Sequence, residues 1–270
     1  MTTSAARRSR NRAGRQPAPS PALRGLARAG LAARGVVYML IGWLAVRIAF
    51  GNPRQQADST GALHAVAQSP FGKALLWLLA AGFAALAVWR LAEAAAGTGT
   101  GRRLQALGLG VLYAVVAFGT LKYALGLGAP QSGDKQAVDL TATAMQHEGG
   151  KLVVIIIGFV LIGGGLYLIW AAAQRRFLRS LDTRRMTART REVVQWLGIA
   201  GSLARGVVFG TAGIFLVIAA VRSQPGQAKG VDSSLRALAA TPFGPWVLVL
   251  VAIGLIMFGA YSCCEARWLR

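Results

Sequence analysis

Carboxylates and histidines are scarce in this chain. Its 270 residues include nine Asp and Glu together, two His and two Cys. No Cys/His cluster has zinc-ligand spacing, and no HExxH pair occurs. His64 and His147 both fall between apolar runs. No apolar segment therefore offers an axial ligand for a membrane b-type haem. There is no Gly-rich phosphate loop, which argues against an ATP-driven pump. Ser and Thr are present, but no His stands within an apolar segment to activate one. No catalytic constellation, cofactor or metal site is expected, and the chain reads as non-enzymatic.

Cys263 and Cys264 are adjacent, near the end of the last apolar run. Neighbouring cysteines rarely bridge, and the compartment expected there is reducing. Packing as small residues and palmitoylation-like modification both stay open for them.

What the chain has instead is apolar length. Hydrophobic residues make up 54% and charged residues only 14%, against about 25% charged in soluble domains. Six runs, at 30–50, 71–95, 105–127, 151–173, 198–221 and 243–265, each reach the roughly 20 residues that cross a hydrocarbon core. They leave no room for a separate soluble domain. The expected fold is all-α: a polytopic membrane protein of six helices.

The net charge is +21, but its placement argues against nucleic acid. The basic residues gather in alternate segments. Seven Arg precede residue 30, Arg102 and Arg103 lie in the second inter-run link, and Arg175, Arg176, Arg179, Arg184, Arg185, Arg189 and Arg191 lie in the fourth. Arg267 and Arg270 close the chain. In the other three links Arg54, Lys135, Arg222, Lys229 and Arg236 are offset by Asp58, Asp134, Asp139, Glu148 and Asp232. The positive-inside rule then puts both termini in the cytoplasm and three hairpin loops outside, in the inner membrane of a bacterial cell. Residues 1–25 form a basic, apolar-poor tail expected to be disordered. The tail and the 175–191 stretch are candidates for contact with anionic lipid; the protein partner is unknown.

The apolar runs repeat. Ala33, Arg34, Gly35, Val36, Val37, Gly42, Val46 and Ala49 recur 171 residues later as Ala204, Arg205, Gly206, Val207, Val208, Gly213, Val217 and Ala220. QSPFG at 68–72 faces ATPFG at 240–244, Gly82 faces Gly254, and Glu93-Ala94 faces Glu265-Ala266. The middle third is a degraded copy, with Gly110 at the place of Gly35 and Tyr113 at that of Tyr38. The chain divides into the tail 1–25, repeat 1 at 26–95, repeat 2 at 103–174, a basic linker 175–194 and repeat 3 at 195–270. Each repeat is a two-helix hairpin. An even number of spans keeps all three in one orientation, about a pseudo-threefold axis along the membrane normal.

The loops carry their own pattern. Residues 63–67 and 235–239 match one short interfacial helix, with Ser59, Thr60, Asp232 and Ser233 as candidate N-caps. Ser69-Pro70 and Thr241-Pro242 suit the start of the returning helix. Asp58, Asp134, Asp139 and Asp232 are candidates for an outer cation site or for loop capping.

Charges inside the runs need partners, because an ionised group within a span is costly unless paired or hydrated. Arg34 lies about a turn inside helix 1, and Glu93 lies at similar depth in its hairpin partner. Arg205 and Glu265 repeat this in the third unit. Two structural ion pairs, Arg34–Glu93 and Arg205–Glu265, are predicted, as hairpin clamps or as a gate. In the middle repeat Leu109 replaces the Arg and helix 4 has no acid, so both partners are missing together. Arg47 and Lys122 share one repeat position near the outer ends of helices 1 and 3. They either snorkel to the interface or, as solute-facing cations, form a positive outer vestibule. Helix contacts should use small residues, such as Gly206-x-x-x-Gly210 and Gly163-Gly164-Gly165.

ARGVVYMLIGWLA at 33–45, the PFG steps, VDSSLRALA at 231–239 and the closing YSCCEARWLR resemble a bacterial family of triplicated two-helix membrane proteins. That family is known only as a domain of unknown function, number twelve hundred and six. The resemblance spans about 26–270 and implies six spans, no established activity and no functional residue to carry over. Two roles are expected: first a scaffold or interaction component, and as the alternative a small-solute or ion transporter with a positive outer vestibule.

Overall fold

The computed structural model describes residues 21–50, 57–68, 72–96, 100–128, 132–175, 177, 178, 181, 186–240 and 243–268. The expected disordered tail and the Ser69-Pro70 and Thr241-Pro242 helix starts lie outside these residues, apart from 21–25 at the tail's end.

Six long helices carry the apolar runs: α1 (Pro21–Ala49), α3 (Gly72–Ala96), α4 (Thr100–Ala124), α6 (Gly150–Ala173), α7 (Ala188–Val221) and α9 (Gly244–Trp268). All six are long and apolar enough to cross a membrane. Among the described residues, besides a 3-10 turn at Pro225–Gln227, three shorter α-helices sit in the hairpin loops: α2 (Ser59–Ala67), α5 (Gly133–Met145) and α8 (Val231–Ala239). The first and last match the expected interfacial helices. The 13-residue α5 has no counterpart in the sequence expectations. Helix α7 begins seven residues before the boundary drawn at 195, because Thr187 caps it by accepting from the Thr190 N–H at 3.2 Å and Val194 is buried.

The helices pack in the order α6–α7–α9–α1–α3–α4. The closest contacts join different repeats: α9 with α1, α3 with α4, and α6 with α7. One glycine position recurs in all three. A Cβ built on Gly35 would lie 2.8 Å from the Gly259 carbonyl, and one on Gly206 would lie 2.8 Å from the Gly165 carbonyl. One on Gly110 would meet Leu91 at 2.8 Å. Backbones this close explain the small residues. Within the flanking hairpins a second pair recurs, Ala33 with Gly82 and Ala204 with Gly254.

The middle hairpin differs. Helices α4 and α6 barely touch among the described residues. Gly108 stands where Ala33 and Ala204 stand, and nothing lies within 4 Å of a Cβ built on it. Counting back from Gly165, which faces Gly206 as Gly259 faces Gly35, Val160 takes the place of Gly82 and Gly254. It is 66% exposed. Only 17% of the α4 and α6 spans is buried, against 39–56% for the other four. Of the expected Gly163-Gly164-Gly165 contact only Gly165 packs; Gly163 and Gly164 face open space.

Of the basic linker, Phe177, Leu178 and Leu181 pack on the bundle. Leu181 is fully buried against Val194, Phe258 and Tyr261, with Phe177 and Leu178 beside it. The Tyr261 hydroxyl donates to the Phe177 carbonyl at 3.4 Å.

Candidate functional site

On the side of the bundle where the helical chain begins and ends, residues from all three repeats meet around Arg34. Its side chain is 10% exposed. Arg34 Nη2 donates to Glu265 Oε2 at 2.7 Å, Nε to Ser262 Oγ at 3.2 Å, and Nη1 to Tyr113 Oη at 3.5 Å. The Ser262 hydroxyl in turn donates a hydrogen bond to the Phe258 carbonyl at 3.0 Å. Phe258, Ser262 and Glu265 recur at helical spacing, so one face of α9 supplies three groups. The Arg34 guanidinium also lies 5.1 Å from the Phe258 ring centre.

The predicted clamps are therefore corrected. Arg34 of repeat 1 pairs with Glu265 of repeat 3, not with Glu93 of its own hairpin. Glu93 pairs with Arg90 one turn back, at 2.8 Å, with its side chain 44% exposed. The reason is the adjacent Gly35. It seats α1 tightly on α9 and turns the neighbouring guanidinium into the contact between repeats.

Arg205 is held by rings. Its guanidinium lies 4.3 Å from the Phe258 centre, 5.3 Å from Phe209 and 5.4 Å from Tyr38. Its Nε is buried without a hydrogen-bond partner, and in place of the expected Arg205–Glu265 ion pair Glu265 pairs with Arg34. Phe258 is shared by both arginines and meets Tyr38 edge-on at 4.8 Å. Each cation–ring contact stabilises by about 0.5–2 kcal/mol, more when dry. Tyr113, Ser262 and Phe258 were not singled out by the sequence as site residues; the alignment of Tyr113 with Tyr38 was the available signal.

At the opposite, loop side the repeats interlock again, and here the pattern is cyclic. Asp58 of repeat 1 caps α2 through the Gly61 N–H at 2.8 Å and accepts the Gly133 N–H of repeat 2 at 2.9 Å. Asp134 of repeat 2 accepts the Ser233 N–H of repeat 3 at 3.0 Å and its hydroxyl at 2.6 Å. Asp232 of repeat 3 accepts the Ala57 N–H of repeat 1 at 2.7 Å and pairs with Arg236. Asp58 and Asp232 are buried. Burial pushes the Asp58 carboxyl above its ordinary value, and the nearby Asp232 and Asp134 add to this against two backbone N–H donors. The carboxylate oxygens are thus used in capping and in joining loops. Among the described residues no His/Cys/Asp/Glu group is arranged to hold a metal ion. Asp139 is exposed, apart from this ring. The capping assignment shifts too: Asp58 caps α2 rather than Ser59 or Thr60, and Gly230 precedes α8 with no side-chain cap.

Lys122 lies on the exposed face of α4, opposite the buried Ala117, Thr120 and Ala124, with Nζ 5.8 Å from the Phe118 ring. It points away from the packed interior. Arg47 is half-buried in the last turn of α1. Cys263 and Cys264 are unbridged and half-buried, and Cys263 Sγ packs against Gly35. A cavity of about 310 Å³ lies between α5, α6, α7 and residues 229–231. Phe209, on which Arg205 rests, forms part of its wall.

Six apolar spans in three two-helix units define a multi-pass membrane protein built by triplication. A family model described as Domain of Unknown Function (DUF1206) matches three times, at residues 29–97, 104–175 and 200–269. The chain belongs to that family. It is also similar to the uncharacterized protein YxxB of Bacillus subtilis (strain 168), 27% identical over 250 residues that cover 90% of each chain. No solved structure matches.

Proposed function

We propose that the protein is a non-enzymatic scaffold whose open middle hairpin receives a membrane-embedded partner helix. The observation that carries this reading is the splaying of α4 from α6. The other four spans pack side by side in the order α7–α9–α1–α3, while these two leave most of their apolar surface uncovered. Their uncovered faces include Gly108, Gly163 and Gly164, small residues that lipid does not require but that let another helix approach closely. The excess of Arg on the terminal side favours a bacterial inner-membrane location with that side cytoplasmic. The transporter alternative with a positive outer vestibule has less behind it, since Lys122 faces away from the interior and neither Arg47 nor Lys122 lines the cavity.

The test is site-specific photo-crosslinking in the native membrane. A photoreactive residue at Val111 or Phe159, on the open hairpin, should give a discrete protein adduct. One at Leu250, more exposed still on α9, should not. Lipid adducts alone from all three positions would contradict the proposal.

A further inference from the structure

The cavity beside the open hairpin has a composition that the scaffold reading does not use. Its wall is apolar, formed by residues such as Leu140, Ile157, Leu161, Phe209 and Leu216. Among the described residues that line it, Lys229 is the one that ionises. The Lys229 Nζ sits 3.9 Å from the Phe215 ring centre. Three loop carboxylates are engaged elsewhere: Asp134 by Ser233, Asp232 by Ala57 and Arg236, and Asp58 by two backbone N–H groups. Lys229 is therefore a cation at the loop-side rim of a greasy slot, with an aromatic face rather than an acid beneath it.

The position decides what fits. Helices α6 and α7 cross the membrane, so the slot is flanked by hydrocarbon, and an unfilled one would forfeit the dispersion contacts of its lining. A volume of about 310 Å³ is at the small end of ligand pockets, roughly 300–1,000 Å³, and suits one alkyl chain rather than a bulky solute. Lys229 lies eight residues beyond the end of the α7 span, and a long cation just past a span's end reaches toward head groups and attracts an anionic surface. We infer that the cavity binds one acyl chain of an anionic glycerophospholipid from the loop-side leaflet, with its phosphate held by Lys229. The crosslinking position Phe159 stands on the other side of α6 from the cavity-lining Val154, Ile157 and Leu161, at about 100° per residue.

The test reconstitutes the full-length protein in vesicles of phosphatidylglycerol and phosphatidylcholine. One or the other lipid carries a diazirine at the end of its acyl chain. Labelled residues are read by mass spectrometry. The phosphatidylglycerol probe should label the cavity wall, around Leu161 and Phe209, about fivefold more than the phosphatidylcholine probe, the discrimination expected of one lysine near a membrane surface. Lys229→Gln should abolish that preference, and Ala212→Trp, which fills the slot, should remove labelling by both. Equal labelling by the two lipids, or a preference that survives Lys229→Gln, overturns the assignment. Lys229→Gln leaves the packed core untouched, so the result stands even if Ala212→Trp disturbs folding. Labelling at this wall is also read independently of crosslinks from Phe159, so this proposal and the scaffold reading fail separately.

Discussion

Replacing Glu265 by Gln leaves the Arg34 guanidinium buried without its carboxylate. The 2.7 Å contact is lost as an ion pair, with the two side chains only 10% and 15% exposed. Removing one member of a buried pair costs about 3–5 kcal/mol, because the remaining charge stays desolvated. That corresponds to a fall in Tm of roughly 6–20 °C for a chain of this size. Glu93→Gln should behave differently. Its pair with Arg90 is local and half exposed, and such pairs contribute about 0.3–0.5 kcal/mol. The assay is thermal or SDS unfolding of the purified protein in detergent, applied to Glu265→Gln, Arg34→Met, the double variant and Glu93→Gln. The double variant should cost less than the sum of the singles by about 0.5–3 kcal/mol. Equal losses from Glu93→Gln and Glu265→Gln, or strictly additive effects in the cycle, would refute the pairing between repeats.

Arg205→Met should cost less than about 1 kcal/mol in the same assay, since an apolar chain on three aromatic rings replaces a cation whose Nε has no acceptor. A loss as large as that of Arg34→Met would show that Arg205 has a partner of equal weight. Gly206→Leu should destabilise by about 1–3 kcal/mol through overpacking, because even a Cβ there comes within 2.6 Å of Ile169; Gly163→Leu, facing open space, should be neutral, and equal effects would refute the close approach of α6 and α7. For pH, the folded Asp58 carboxyl titrates above its ordinary value of 3.8, so the folded state holds more protons than the unfolded one in that window. Stability should therefore fall as pH rises from 3.8 through the raised value, and Asp58→Asn should flatten that part of a Tm-against-pH curve; an unchanged slope would sink the assignment.

The spans, the triplication and the short loop helices α2 and α8 were readable because each depends on local pattern: apolar length, recurrence of Ala-Arg-Gly-Val-Val, and turn residues. The pairing of charges was not. Sequence places Arg34 and Glu93 at similar depth in one hairpin, but depth does not say which face each residue takes. The face is set by Gly35 against Gly259, a contact between residues more than two hundred positions apart. Arg205 was expected to need an acid; the aromatic alternative is invisible until Tyr38, Phe209 and Phe258 are brought together. Asp58 was legible as a loop cap, but the cycle of aspartates was not, because the N–H groups of Ala57, Gly133 and Ser233 belong to the next repeat each time. The missing charges of the middle repeat were visible. That its hairpin would open was not, although Gly108 and Val160 already depart from the Ala/Gly pairs of the other two.

The open middle hairpin is tested most directly by disulfide trapping in native membranes, in a background with Cys263→Ala and Cys264→Ala. Three cysteine pairs occupy one repeat position: Ala33→Cys with Gly82→Cys, Gly108→Cys with Val160→Cys, and Ala204→Cys with Gly254→Cys. In the flanking hairpins the partner backbones lie in contact, a Cβ on Gly82 reaching 2.6 Å from that of Ala33 and one on Gly254 reaching 2.5 Å from that of Ala204. These two pairs should bridge readily under mild oxidation, allowing a small shift to the roughly 3.5–4.5 Å that a disulfide spans between Cβ atoms. The pair at 108 and 160 should stay reduced. Bridging there as fast as in the flanking hairpins would mean that the three repeats close alike, and that no open face exists for a partner to enter.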